Sequence, residues 1–301
     1  MGVHEQLKAF PAQHPYLVCI DSDGCVFDTM GIKQRECFCP WMIAHFGLQP
    51  VAQAARECKE FADLFSKTRG ANRHVTIRHI LTELLPAHPQ VRRRGFRVPA
   101  FPHYFAWVDD PRSLLSDEGL RQAIACAPHE EAKEELEHVL AWSERVNWAI
   151  EEIVRGVPPF PYVREALERL QGKADVMVVS ATPLEALRRE WAEHGIDGFA
   201  SLICGQEMGT KKEHIQAVAH QYNQDRILMI GDAPGDLGAA KANRALFFPV
   251  VPGEEETSWA RFHNEALELF LAGAYAGQYE TRLIAEFDRA LPEQPPWEGE
   301  A

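Results

Sequence analysis

Two carboxylates, Asp21 and Asp23, stand two residues apart in Val18-Cys19-Ile20-Asp21-Ser22-Asp23-Gly24, where a short apolar run gives way to polar residues. In an extended chain they would point to one side. Here the run has ended and Gly24 permits a tight turn, so both can face one point in space. Carboxylates held that close repel, and one takes up a proton unless a cation relieves them. An oxygen-only ligand set suits Mg²⁺. One carboxylate can then attack phosphorus to form an acyl-phosphate while the other carries a proton. Read locally, Asp-Ser-Asp-Gly is an ordinary turn.

Two later segments have the same form. Val178-Val179-Ser180-Ala181-Thr182-Pro183 puts a hydroxyl directly after an apolar run and before a helical pattern. A hydroxyl and backbone N–H groups there can hold a phosphate oxygen. The local alternative is a helix N-cap, by Thr182 before Pro183, with Ser180 helping the turn. Ile230-Gly231-Asp232-Ala233-Pro234-Gly235-Asp236 adds two carboxylates four residues apart. They can complete the oxygen shell of a metal, or Asp236 can simply stabilise the dipole of a helix running from Gly235 through Ala240. Three polar strand ends in this order are hard to explain as separate accidents.

Together the segments resemble the motifs of the haloacid-dehalogenase-like hydrolase superfamily: a strand ending in Asp-x-Asp-Gly, one ending in Ser, one ending in Gly-Asp-x-x-x-Asp, and a Lys between the second and third. Gly209-Thr210-Lys211-Lys212-Glu213 supplies the Lys. The resemblance covers about 15 to 30 and 160 to 250. It implies that Asp21 is the nucleophile and Asp23 the general acid and base. Ser180 and Lys211 would bind the phosphoryl group, with Gly24 and Ala181 as further substrate contacts. Mg²⁺ would be held by Asp21, the backbone carbonyl of Asp23 and Asp232, with Asp236 close by and acting through water. Lys211 is preferred to Lys212, because Lys212 and Glu213 can pair with solvent on the first helical turn.

These residues need a scaffold that brings strand ends together. Tyr16–Ile20, Asp175–Val179 and Arg226–Ile230 are short apolar runs that read as buried strands, with Ser201–Cys204 and Ala245–Val250 as weaker ones. Helical spacing lies between them at Val163–Leu170, Leu184–His194 and Glu213–Tyr222. This alternation predicts an α/β fold, a Rossmann-like three-layer core with a parallel sheet, whose loops gather at one edge. The predicted core comprises 1–29 and 158–256. A helical insertion over 30–157 resembles the cap of one branch of the superfamily, although it is longer than the common small caps. Such caps close over the site and select the substrate. Within it, Arg69 and Arg73, flanking Gly70, can grip a second anionic group or lie solvated beside a turn. Arg92–Arg97 reads as solvated surface, and Pro86–Pro111 as irregular. A C-terminal helical extension is expected over 257–291, broken near Gly273–Gly277, and a loose tail over 292–301.

Composition narrows the function. Of 301 residues 46% are apolar and 25% charged, a globular balance. Lys and Arg total 31 against 44 Asp and Glu, for a formal charge of −13, which makes nucleic acid a poor partner. A small phosphorylated substrate is still accommodated, because a metal and one Lys reverse the local field. The seven cysteines form no CxxC pair and read as reduced thiols of a cytoplasmic protein. Met1–Gln6 carries no secretory pattern, and no stretch reaches membrane-spanning length. The expected activity is a Mg²⁺-dependent phosphatase acting through an aspartyl-phosphate. A phosphomutase of the same superfamily and a non-catalytic binding protein are the alternatives. A dehalogenase fits less well, because Asp23 is present. The oligomeric state is not encoded in any motif.

Overall fold

In the computed structural model the five apolar runs form one parallel sheet, and the structure describes Leu7 and residues 9–299. The readings of Met1–Gln6 and of Glu300 and Ala301 fall outside the described residues. The strands are β1 (Tyr16–Ile20), β2 (Ala174–Val179), β3 (Leu202–Cys204), β4 (Ile227–Gly231) and β5 (Leu246–Pro249), in the spatial order β3-β2-β1-β4-β5. Order reverses on either side of β1, so β1 is flanked by β2 and β4. Ile20 pairs with Val178 on one side and Ile230 on the other, which aligns the ends of the three central strands.

Strands of this kind read as continuous apolar runs because both faces are covered, and the pleat sends alternate residues to different cores. Val18, Ile20, Val176, Val178, Leu228 and Ile230 enter one core with Trp191, Trp259 and Phe262. Leu17, Cys19, Met177, Val179, Ile227 and Met229 enter the other with Ile215, Val218 and Phe287. The result is the expected three-layer α/β arrangement.

The chain divides into two compact units, one of residues 1–30 and 156–291, the other of 31–155 and 292–301. The region read as a C-terminal extension is part of the sheet unit. Trp259 Nε1 donates to the Cys25 carbonyl at 2.7 Å, Tyr275 OH donates to the Phe247 carbonyl at 2.7 Å, and Glu280 accepts from the Phe247 amide at 2.9 Å. Burying those polar groups requires such partners; they tie helix 255–261 to the turn after β1, and Tyr275 and helix 278–290 to β5.

The other unit is helical. Its spine is Glu130–Ile153, which buries Leu136, Val139, Trp142, Val146 and Ala149 along one face. The stretch expected to be irregular contains two helices, Pro89–Arg94 and Pro102–Asp109. Their prolines occupy the first helical turn, where a missing N–H costs nothing. The tail also differs from expectation. It forms a short turn at Pro296–Gly299, and the Trp297 ring lies 5.7 Å from Phe61 and 4.8 Å from His88. An indole has more apolar surface to bury than a Pro- and Glu-rich composition suggests.

Candidate active site

The first strand ends in a tight turn. Ser22 O accepts from the amides of Val26 at 2.9 Å and Phe27 at 3.2 Å, and Gly24 adopts φ 78, a left-handed conformation that glycine takes without strain. Asp21 N donates to Ile230 O at 3.0 Å, so Asp21 emerges directly beside the end of β4. Gly24, expected to touch substrate, has its N–H committed to the Phe27 carbonyl at 2.8 Å and serves the turn.

The end of β4 carries Asp232 and, through the helix Pro234–Ala242, Asp236. Asp236 uses both oxygens. Oδ2 accepts from the amides of Asp232 at 3.1 Å and Ala233 at 3.0 Å, while Oδ1 accepts from Lys211 Nζ at 2.6 Å. Lys211 opens the helix Lys211–Ala219, which begins there because Thr210 and Glu213 form a reciprocal cap. Its Nζ also lies 2.8 Å from Asp21 Oδ2. Lys212 is exposed. The geometry therefore brings Lys211, and not its neighbour, between Asp21 and Asp236.

Asp21, Asp232 and Asp236 are all buried, and each offers a carboxylate oxygen within 4.8 Å of the others. Burial pushes the Asp21 carboxyl well above its ordinary pKa; Lys211 opposes that shift, and Asp236 and Asp232 add to it. Burial opposes the charge on Lys211, but Asp21 and Asp236 overcome it and hold the ammonium above its usual range. Three acids share one ammonium in a desolvated place, so full ionisation there is costly unless a cation relieves it. Asp21 Oδ1 is buried and has no hydrogen-bond partner among the described residues. An orphaned carboxylate oxygen in an all-oxygen cluster of this charge fits a divalent cation.

Asp23 is half-buried and accepts two hydroxyls, from Thr29 Oγ1 on Oδ1 at 2.5 Å and from Thr182 Oγ1 on Oδ2 at 2.7 Å. Sequence reasoning missed both threonines as partners of Asp23, and offered Thr182 only as an alternative helix cap. The cap position is held by Pro183, which leaves the Thr182 hydroxyl for Asp23. Ser180, buried at the end of β2, accepts from Thr182 N at 3.2 Å. Ala181 is exposed in the same loop.

Arg69 and Arg73 lie in the helical unit and are engaged there. Arg69 Nη1 donates to the Leu64 carbonyl at 2.8 Å. Arg73 Nη1 donates to Ser143 Oγ at 2.9 Å and Asn147 Oδ1 at 2.8 Å, and both of those side chains in turn donate to Asp117. The Arg73 guanidinium also stacks 4.8 Å above the Phe38 ring. A half-buried guanidinium is well served by such partners, and this network gives Arg73 a structural task that spacing alone did not reveal.

Residues 17–243, about three-quarters of the chain, match the haloacid dehalogenase-like hydrolase family. No curated protein gives a significant match. Among solved structures, the chain is similar to a predicted phosphoglycolate phosphatase from Haemophilus somnus, with 16% identity over 78% of this chain and 84% of that one and a TM-score of 0.42. It is also similar to a haloacid dehalogenase-like hydrolase from Streptococcus pneumoniae, with 15% identity over 83% and 91% of the two chains and a TM-score of 0.41.

Proposed function

The chain belongs to the haloacid dehalogenase-like hydrolase family, and from that premise we infer that it is a Mg²⁺-dependent phosphatase that hydrolyses a small phosphorylated metabolite through an aspartyl-phosphate on Asp21. The observation that carries this reading is the buried Asp21 carboxylate, with one oxygen against Lys211 and the other left without a hydrogen-bond partner among the described residues. A nucleophile needs one oxygen fixed and one available for attack or for a cation.

Asp21, Asp232 and the backbone carbonyl of Asp23 would hold the metal. Asp236 would support it indirectly, because its oxygens brace Lys211 and two amides. When bound, Mg²⁺ supplies neutralisation of the carboxylates and of the phosphoryl oxygens. The chain's own residues do the rest. Asp21 attacks phosphorus in line, Lys211 and Ser180 hold the phosphoryl oxygens, and Asp23 gives its proton to the departing alcohol. Asp23 then takes a proton from water as that water displaces Asp21, which restores the Asp21 carboxylate and the protonated Asp23.

The test is a screen of phosphorylated sugars, nucleotides and organic acids with and without chelator, using Asp21→Asn as the blank. Turnover of at least one substrate is expected, lost with chelator and reduced by at least about 10³-fold in the variant. An Asp21→Asn protein as active as the wild type would overturn the assignment.

A further inference from the structure

Asp23, unlike the buried Asp21, is only half-buried on its turn, so its orientation depends on what holds its carboxyl. Two hydroxyls from separate parts of the chain restrict it. Thr29 Oγ1 bonds one oxygen and Thr182 Oγ1 the other. Thr182 is itself fixed on both sides. Its amide donates to Ser180 Oγ at 3.2 Å, and its carbonyl accepts from Gln206 N at 3.1 Å, tying it to the loop after β3. Pro183 holds the cap of the following helix, so the Thr182 hydroxyl is not needed there.

We propose that Thr182 is a positioning residue: its hydroxyl, delivered from the end of β2, sets the orientation from which Asp23 passes its proton to the leaving group. This rests on the phosphoryl-transfer reading above. The arrangement permits the step, because each carboxyl oxygen has two lone-pair positions. Asp23 can carry its proton on one oxygen while both threonine bonds persist. In the first half-reaction the Asp23 O–H bond breaks as the alcohol O–H forms, the ester P–O bond breaks and the Asp21–phosphorus bond forms. In the second, a water proton returns to Asp23 while the water oxygen displaces Asp21 from phosphorus.

A positioning role for the acid has a signature that a packing role lacks. Loss of aligned proton donation matters most when the leaving alkoxide is basic and little when it is a stable phenolate. Thr182→Val keeps the shape and removes the hydroxyl; Thr182→Ser keeps the hydroxyl. The experiment measures kcat/KM, which reports the first phosphoryl transfer, on p-nitrophenyl phosphate and on an alkyl monoester taken from the substrate screen. Unfolding temperatures of both variants are recorded alongside. Thr182→Val is expected to lose about 10–100-fold on the alkyl ester, mainly in kcat, and less than about 3-fold on the aryl ester. Thr182→Ser is expected to recover most of the loss. Equal losses on the two esters, or no loss on either, would overturn the proposal while leaving the phosphatase reading intact. A wild-type protein inactive on every ester with added Mg²⁺ would remove both.

Discussion

Lys211 is where the chemistry of single residues is most exposed to test. Its ammonium is the partner of two buried carboxylates at once, so Lys211→Met leaves like charges facing one another without water. Removing one member of a buried pair costs about 3–5 kcal/mol, and urea unfolding without divalent cation should register a loss of that order. Added Mg²⁺ should return part of it. In the wild type, Mg²⁺ at a hundred times its dissociation constant should add about 2.7 kcal/mol, and calorimetry should show that gain vanish in Asp232→Asn. A wild-type unfolding temperature indifferent to Mg²⁺ would count against the metal site. Asp21, Asp23, Ser180 and Asp232 stand out in the sequence because each follows the end of an apolar run, whereas Lys211 was singled out only by the resemblance to the family's motifs. Thr29 and Thr182 do not stand out, because a hydroxyl's partner is decided by which loops meet after folding. Arg73 misled for a related reason. An arginine three residues past a glycine turn looks available until a distant helix brings Ser143 and Asn147 to it.

At the scale of elements, the loop from β4 into its helix shows why glycine precedes Asp232. A Cβ on Gly231 would lie 2.4 Å from Asp236 Cβ and 2.5 Å from its Cγ. Gly231→Ala must therefore push Asp236 away from the two amides it accepts from, and Lys211 with it. The expected outcome is a destabilisation of about 1–3 kcal/mol, together with a fall in kcat that exceeds any change in KM. A variant with wild-type kcat would show that the brace is dispensable. The strands were legible because a strand covered on both faces has to be apolar throughout. The bounds of helices in the inserted unit were less so. Wide π-helical turns at Lys33–Phe38 and Ile80–Leu84 come shortly before Pro40 and Pro86. A proline lacks the N–H for an ordinary turn and its ring crowds the carbonyl four residues back, so the helix widens and continues where the sequence suggests a stop.

For the molecule as a whole, stability draws on polar groups far from the carboxylate cluster. Trp259→Phe deletes the bond to the Cys25 carbonyl and should cost about 1–3 kcal/mol in unfolding free energy; a neutral result would mean that helix 255–261 is not pinned through that bond. His74 makes a pH prediction. It is fully buried against Tyr104, Trp107 and Trp142, and burial, with Arg73 adding to it, lowers its pKa from 6.5 to about 3. Between those values the unfolded chain binds a proton that the native protein refuses. Unfolding free energy should therefore fall as pH drops below about 6.5, by at most about 1.4 kcal/mol per unit from this group. His74→Gln should show a shallower acid slope in urea titrations, and parallel slopes would refute the attribution. The two compact units part near residues 30 and 156, close to where the alternation of strand and helix patterns in the sequence is interrupted. The placement of the C-terminal segment was not legible, because nothing local says that an indole will bond a carbonyl 234 residues away.

The most direct measurement is to trap the covalent intermediate. The protein would be mixed with p-nitrophenyl phosphate and Mg²⁺, quenched rapidly, reduced with borohydride to convert an acyl-phosphate into an alcohol, digested and mapped by mass spectrometry. The account predicts conversion of Asp21 to homoserine in the wild type and in Asp23→Asn, and none in Asp21→Asn. Label on Asp23 or Asp232, or turnover with no residue labelled at any quench time, would contradict it.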